Sequence, residues 1–202
     1  MSATSGNVGP IVSSDGTIRP IRLSKDTSVV TQDAHGRYQE AVYRGNVYIA
    51  ANNAGVAWPI ALSATATGMI LSNPPQSRVN LSVLEITVAP TVFVAGQLSP
   101  LLIAYTGSFT PVVHTTPITI TNALLGSTNR SAANADSAAT LPSVPYLVRT
   151  MGSFLSGSSA AFSKDDVGGS LILAPGSSIS TFTVIGLAIT AITQITWEEI
   201  PL

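Results

Sequence analysis

In Val79-Asn-Leu-Ser-Val-Leu-Glu-Ile-Thr-Val88, apolar side chains fall on Val79, Leu81 and Val83 and then, after a change of step, on Leu84, Ile86 and Val88. A period of two sends alternate side chains to opposite faces of a strand, so each half of the stretch reads as β. The change of step between the halves predicts a β-bulge, or a strand covered on both faces. Just upstream, Met69-Ile-Leu-Ser-Asn runs into Pro74-Pro75. Proline has no N–H to give to a ladder, so a strand must end there.

The same texture continues in both directions. Arg44-Gly-Asn-Val-Tyr-Ile-Ala-Ala-Asn52 sets β-formers between turn residues, and residues 101–105, 112–121 and 146–149 are further short candidates. Ser170-Leu-Ile-Leu-Ala leads to the turn pair Pro175-Gly176, after which residues 178–185 return as a strand. Across residues 188–198, Ile189, Ala191 and Ile195 keep one parity with Trp197 in register. Helix signals are weak. Residues 132–139 lack large apolar side chains at helical spacing and read as a Ser/Ala loop. They belong to residues 122–142, the longest polar stretch of the domain and one suited to touching a neighbour. Short strands separated by Pro, Gly and Asn predict an all-β chain folded as a sandwich or barrel.

Charge divides the sequence. Charged residues are 9% of the chain, against about 25% in ordinary proteins. Nine of the 19 charged side chains lie in residues 1–44, whereas residues 45–127 hold only Arg78 and Glu85. Residues 1–43 are therefore expected to form an extended N-terminal arm and lead-in, and residues 44–202 the β domain. Natural sheets often guard their edges with charge. The uncharged stretch is accordingly expected to have its edges covered by other subunits.

Several function classes lose their footing here. A net charge of −1 offers no electrostatic footprint for nucleic acid or anionic lipid. Without cysteine there is no disulfide, thiolate zinc site or Cys nucleophile. The first ten residues lack the basic and apolar blocks of a signal peptide. The apolar run at residues 184–197 falls short of the roughly 18 residues of a membrane helix. The chain is expected to be soluble, with no membrane partner.

Catalytic and metal constellations are sparse. The only histidines are His35 and His114, and no Gly-x-Ser-x-Gly elbow leads into a helix, so a serine triad is not expected. Asp33 with His35, and Asp165 with Asp166, would each bring two ligands together but not a full coordination set. Lys164-Asp-Asp-Val-Gly-Gly169 reads more simply as a charged turn. In an extended chain Glu198 and Glu199 point to opposite faces and cannot flank one glycosidic bond. No catalytic, cofactor-binding or metal residue is expected. Among the aromatics, Tyr38, Tyr43 and Tyr48 lie near Arg37 and Arg44 as the densest cluster. Either they contact a partner or they line the way into the sandwich. Trp58 is expected under a loop, and Trp197 in the core or on a subunit axis.

Gly36-Arg-Tyr-Gln-Glu-Ala-Val-Tyr-Arg-Gly-Asn46 resembles a segment that introduces a β-sandwich in a group of tailed-phage proteins. The resemblance continues through Leu71-Ser-Asn-Pro74, Val79-Asn-Leu-Ser-Val-Leu84, Asn122-Ala-Leu-Leu-Gly126, Leu173-Ala-Pro-Gly-Ser177 and Thr196-Trp-Glu-Glu-Ile-Pro-Leu202. It implies a jelly-roll-like antiparallel β-sandwich in a phage virion, assembled in the host cytoplasm. The role it implies is a trimeric capsid decoration, or cement, protein on the outer shell. Tail, collar and fibre jelly rolls with a receptor- or glycan-binding role are the alternative. On this reading Arg19, Arg22, Lys25 and Arg37 of the arm meet carboxylates of the major capsid protein or another virion protein. Tyr43, Tyr48 and Trp197 are the expected self-assembly contacts of the homotrimer.

Overall fold

The structure, a computed structural model, describes residues 36–93, 98–155, 162–184 and 188–202. Most of the expected arm, with Arg19, Arg22, Lys25 and His35, lies outside the described residues. The β domain is contained in the unit Glu40–Leu202. Its strands are β1 (Val47–Ala51), β2 (Val56–Ala57), β3 (Thr65–Ser72), β4 (Val79–Phe93), β5 (Leu98–Gly107), β6 (Val113–Pro117), β7 (Ile120–Asn122), β8 (Asn134–Thr140), β9 (Tyr146–Leu155), β10 (Ser163–Leu173), β11 (Ser177–Phe182) and β12 (Ile189–Pro201). A single helical turn, α1 (Gln39–Tyr43), precedes them, so the last residues of the expected extended lead-in are helical.

Two antiparallel sheets are stacked. Sheet 1 runs β10-β4-β12-β1-β7 with β2 also on β12, and sheet 2 runs β6-β8-β3-β11-β5-β9. Without β2, β6, β7 and β8, eight strands remain, in the orders β1-β12-β4-β10 and β3-β11-β5-β9. Successive strands pass between the sheets except at the step from β5 to β9. This is the connectivity of a jelly roll. The remaining piece, residues 108–145, is an insertion between the fourth and fifth jelly-roll strands, β5 and β9. It adds β6 and β8 to sheet 2 beside β3, and β7 to sheet 1 beside β1.

The core lies between the sheets. Met69 and Leu71 of β3 and Leu101 and Ile103 of β5 meet Leu81, Val83, Ile86 and Val88 of β4 and Ile195 and Trp197 of β12. Each aliphatic side chain of this kind contributes about 1.5–3 kcal/mol when fully buried. The change of step in β4 is a bulge. Thr196 of β12 pairs with Glu85 and Trp197 with Val83, leaving Leu84 as the extra residue. Leu81 and Val83 before it and Ile86 and Val88 after it therefore face the same core. β3 makes a similar adjustment between Thr67 and Ile70. Gly68 sits there with φ +96°, and a Cβ on it would meet Thr181 and the indole of Trp58. Trp58 is thus packed into the core, not under a surface loop.

Two segments differ from the sequence reading. Residues 134–140 form β8, held between β3 and β6, where the sequence predicts a Ser/Ala loop over residues 132–139. Alanines at 133, 135 and 139 bury themselves without the bulk that advertises a strand. Lys164–Gly169, where the sequence predicts a charged turn, lies within β10, with residues 167–170 in a register shift opposite Leu84.

The uncharged stretch is also explained within one chain. β3, β4 and β5 are interior strands, so their lack of charge reflects the core. The true edges guard themselves in ways known from other sheets. β7 has three residues, and β6 ends in Pro117 with two register shifts. β9 has two irregularities against β5, and β10 carries Lys164, Asp165 and Asp166. Covering by other subunits is not needed to explain those edges.

Candidate functional site

One pole of the sandwich collects the connections β3–β4, β5–β6 and β10–β11, the approach to β1 and the last residues of β12. α1 ends there in a Schellman motif. Gly45 N–H donates to Val42 O at 2.9 Å and Asn46 N–H to Ala41 O at 3.1 Å. Gly45 supplies the left-handed residue this cap requires, with φ +72°. Its carbonyl accepts a hydrogen bond from Asn122 Nδ2 at 2.7 Å, and Asn122 Oδ1 accepts from Leu124 N–H at 2.8 Å. Asn46 O accepts the N–H of Glu199 at 2.8 Å. Glu199 is buried, and its carboxylate accepts from Ser131 Oγ at 2.5 Å and Ala132 N–H at 2.9 Å.

Asn73 serves the neighbouring part of the pole. Its Nδ2 donates to Val79 O at 2.8 Å and Leu173 O at 2.9 Å. Its backbone exchanges hydrogen bonds with Ser177 O and Gly176 N–H, both at 2.8 Å. A polar side chain that donates to two carbonyls at once, one of them buried, fixes three chain segments in one place. Neither Asn73 nor Glu199 had been singled out as an anchor. Asn73 stands between a buried strand and a proline pair, which is the signal that would have marked it.

The expected contact residues separate in space. Trp197 is wholly buried, and Tyr48 stacks on it with ring centroids 6.2 Å apart. Tyr48 also donates from its hydroxyl to Arg130 O at 3.2 Å. Both belong to the core of a single chain, the alternative that the sequence left open for Trp197, so neither is placed to serve as the expected self-assembly contact. Burial, and then the negative charge of Glu199, push the Tyr48 phenol above its ordinary value, against an opposing hydrogen bond with Asn122. Tyr43 remains exposed. Arg37 of the lead-in lies over the Tyr38 ring at 5.1 Å. Glu198 and Glu199 point to opposite faces of β12, as an extended chain requires.

His114 on β6 has Nδ1 2.7 Å from Asp136 Oδ2, and Asp136 is wholly buried on β8. Asn134 Nδ2 lies 3.1 Å from His114 Nε2. With Nδ1–H donating to the carboxylate, Nε2 accepts from the amide, so both ring nitrogens are engaged and β6 is pinned to β8. A serine base would need Nε2 on a hydroxyl. A small cavity adjoins this group beside Ser72 and Asn73. At the opposite pole a polar hollow of about 250 Å³ is lined by Asn52, Asn53, Thr119 and Ser137. Among the described residues, no three His, Asp or Glu side chains gather as a metal site, and no helix is long and apolar enough to cross a membrane.

No family model, curated protein or solved structure matches the chain.

Proposed function

We propose that this chain is a non-enzymatic structural protein of a tailed-phage virion, a trimeric decoration protein that binds the outer capsid and stabilises the shell. One observation carries the reading. The segments resembling phage sandwich proteins, at residues 36–46, 71–74, 79–84, 122–126, 173–177 and 196–202, are spread along the sequence. Asn46, Asn73, Val79, Asn122, Leu173 and Glu199, one from each, nevertheless take part in the hydrogen bonds that anchor one pole. Motifs that converge in this way are consistent with one inherited architecture. For self-association, edge strand β9 offers three consecutive exposed apolar residues, Tyr146, Leu147 and Val148. Exposed runs of this kind support contact between copies. The arm supplies attachment through Arg19, Arg22, Lys25 and Arg37, and the sandwich supplies a rigid body.

The test has two parts. Light scattering on the full chain should give three times the monomer mass. Deleting residues 1–28 should leave a folded trimer that no longer sediments with empty shells of the same phage, and unchanged binding would overturn the arm's role. The polar hollow at Asn53, Thr119 and Ser137 favours a second reading, a tail, collar or fibre protein with a glycan ligand. Glycan-array binding that disappears in Asn53→Ala and Thr119→Val would select it.

A further inference from the structure

We infer that the anchored pole is itself a partner-binding surface, built for a protein that presents carboxylates around an apolar hollow. The inference rests on the virion reading and adds to it a second attachment point, on the folded domain. Within residues 40–202 the cations are Arg44, Arg78, Arg130, Arg149 and Lys164. Arg149 and Lys164 pair with Asp165 and Glu85 along one side of the sandwich, each at 2.6 Å. The other three are at the pole. Arg44 follows α1 and pairs with Glu40. Arg78 precedes β4, and Arg130 stands one residue before Ser131, the partner of Glu199. Arg78 and Arg130 are exposed, and neither forms an ion pair among the described residues.

Large apolar side chains stand among these arginines. Tyr43 is 64% exposed, Leu125 80% and Ile200 41%. Arginine and tyrosine are the residues enriched in binding hot spots, and the exposed leucine and isoleucine beside them add apolar area to bury. The surface is also rigid. Asn122 and Glu199 fix the loop that carries Leu125 and Arg130, and a Cβ on Gly45 would run into Asn129 of that loop. Arg78 has φ +60°, a left-handed backbone that a non-glycine residue adopts only when its surroundings impose it. Its carbonyl accepts Leu202 N–H at 3.1 Å, and Val79 beside it is held by Asn73. Glycine would fit this backbone better, so an arginine here points to a use for its guanidinium.

The charge pattern selects the occupant. Glu40, Glu85 and Asp165 are in ion pairs, and Asp136 and Glu199 are buried. Among the described residues, a second copy has few carboxylates to bring to Arg78 and Arg130. Nucleic acid would not use Tyr43, Leu125 and Ile200 together, and the net charge of −1 gives no long-range attraction. An acidic protein surface satisfies both halves of the patch. Arm and pole then act in tandem, and losing either one abolishes tight binding.

Full-length chain is sedimented with empty shells of the same phage prepared without it. Arg78→Glu, Arg130→Glu and Leu125→Ser should each weaken binding roughly tenfold or more while leaving the trimer and its circular dichroism unchanged. Arg78→Gly should melt no lower than the parent and still bind more weakly, which separates recognition from folding. Failure of the parent chain to bind shells would remove the virion reading and this inference with it. Parent-like binding by all four variants would overturn the inference alone. Tight, steeply salt-dependent binding of duplex DNA by the parent, lost in the two Glu variants, would also overturn it.

Discussion

Arg149 and Asp165 join the two sheets along one side of the sandwich. Arg149 lies on β9, an edge of sheet 2, and Asp165 on β10, an edge of sheet 1. The guanidinium donates from Nε to Oδ2 at 2.6 Å and from Nη2 to Oδ1 at 2.9 Å. Both side chains are partly buried, and the hydrogen bond that Arg149 donates to Asp165 raises the pKa of its guanidinium above the ordinary value. A two-bond fork fixes direction as well as distance, so it sets how far the two edges can part.

Asp165→Ala is expected to destabilise the fold by about 1–3 kcal/mol, because it leaves a partly buried guanidinium unpaired. Arg149→Lys keeps the charge, loses the fork and should retain only part of that stability. Urea denaturation of both single variants and the double variant measures the coupling. Additive effects would mean that the pair does not act as a clasp.

Asn73→Asp should be worse than Asn73→Ala. Alanine forfeits two donors and leaves the buried Leu173 carbonyl without its side-chain donor, while Val79 O keeps Ser77 Oγ, a loss of about 1–3 kcal/mol. Aspartate sets a second acceptor against those same carbonyls. Thermal melts of the two variants give the order.

Gly45→Ala forces a Cβ onto a left-handed backbone and against Asn129, and should cost about 1–2 kcal/mol. The added double change Asn129→Ala removes the clash but not the backbone penalty, so it should recover only part of the loss.

Tyr48 makes the fold sensitive to alkali. Its folded-state value lies above the unfolded one near 10.0. The folded chain therefore holds the phenolic proton more tightly. That contribution is complete below pH 10 and declines as pH rises through the raised value. Phenolate absorbance of Tyr48 should appear in step with loss of near-ultraviolet circular dichroism. Tyr48→Phe should remove that phase.

The local rules of the fold were legible wherever one side chain decides the backbone. The bulge at Leu84 showed in the change of step, and Pro74 and Pro175 marked the strand ends. The inward face of β12 could be read from Ile189, Ala191, Ile195 and Trp197. β8 was not legible, since alanine and serine fill a strand without an apolar signature. Lys164–Gly169 misled because charge and glycine signal a turn equally well as a bowed edge. The pole was the least readable part. Asn73, Asn122 and Glu199 acquire their roles only from partners as much as a hundred residues away.

The order of strands also governs when the domain can form during synthesis. β12 is the last of them to leave the ribosome, yet it lies at the centre of sheet 1, with Val47 opposite Glu198 and Ile86 opposite Ile195. Until Trp197 emerges, β1 and β4 have no strand between them, and the apolar row from Leu81 to Val88 stays open to water. A nascent chain stalled before this point would expose its stickiest segment for the longest time. Chaperone protection of the unfinished polypeptide, more than of the completed product, is where its yield is decided.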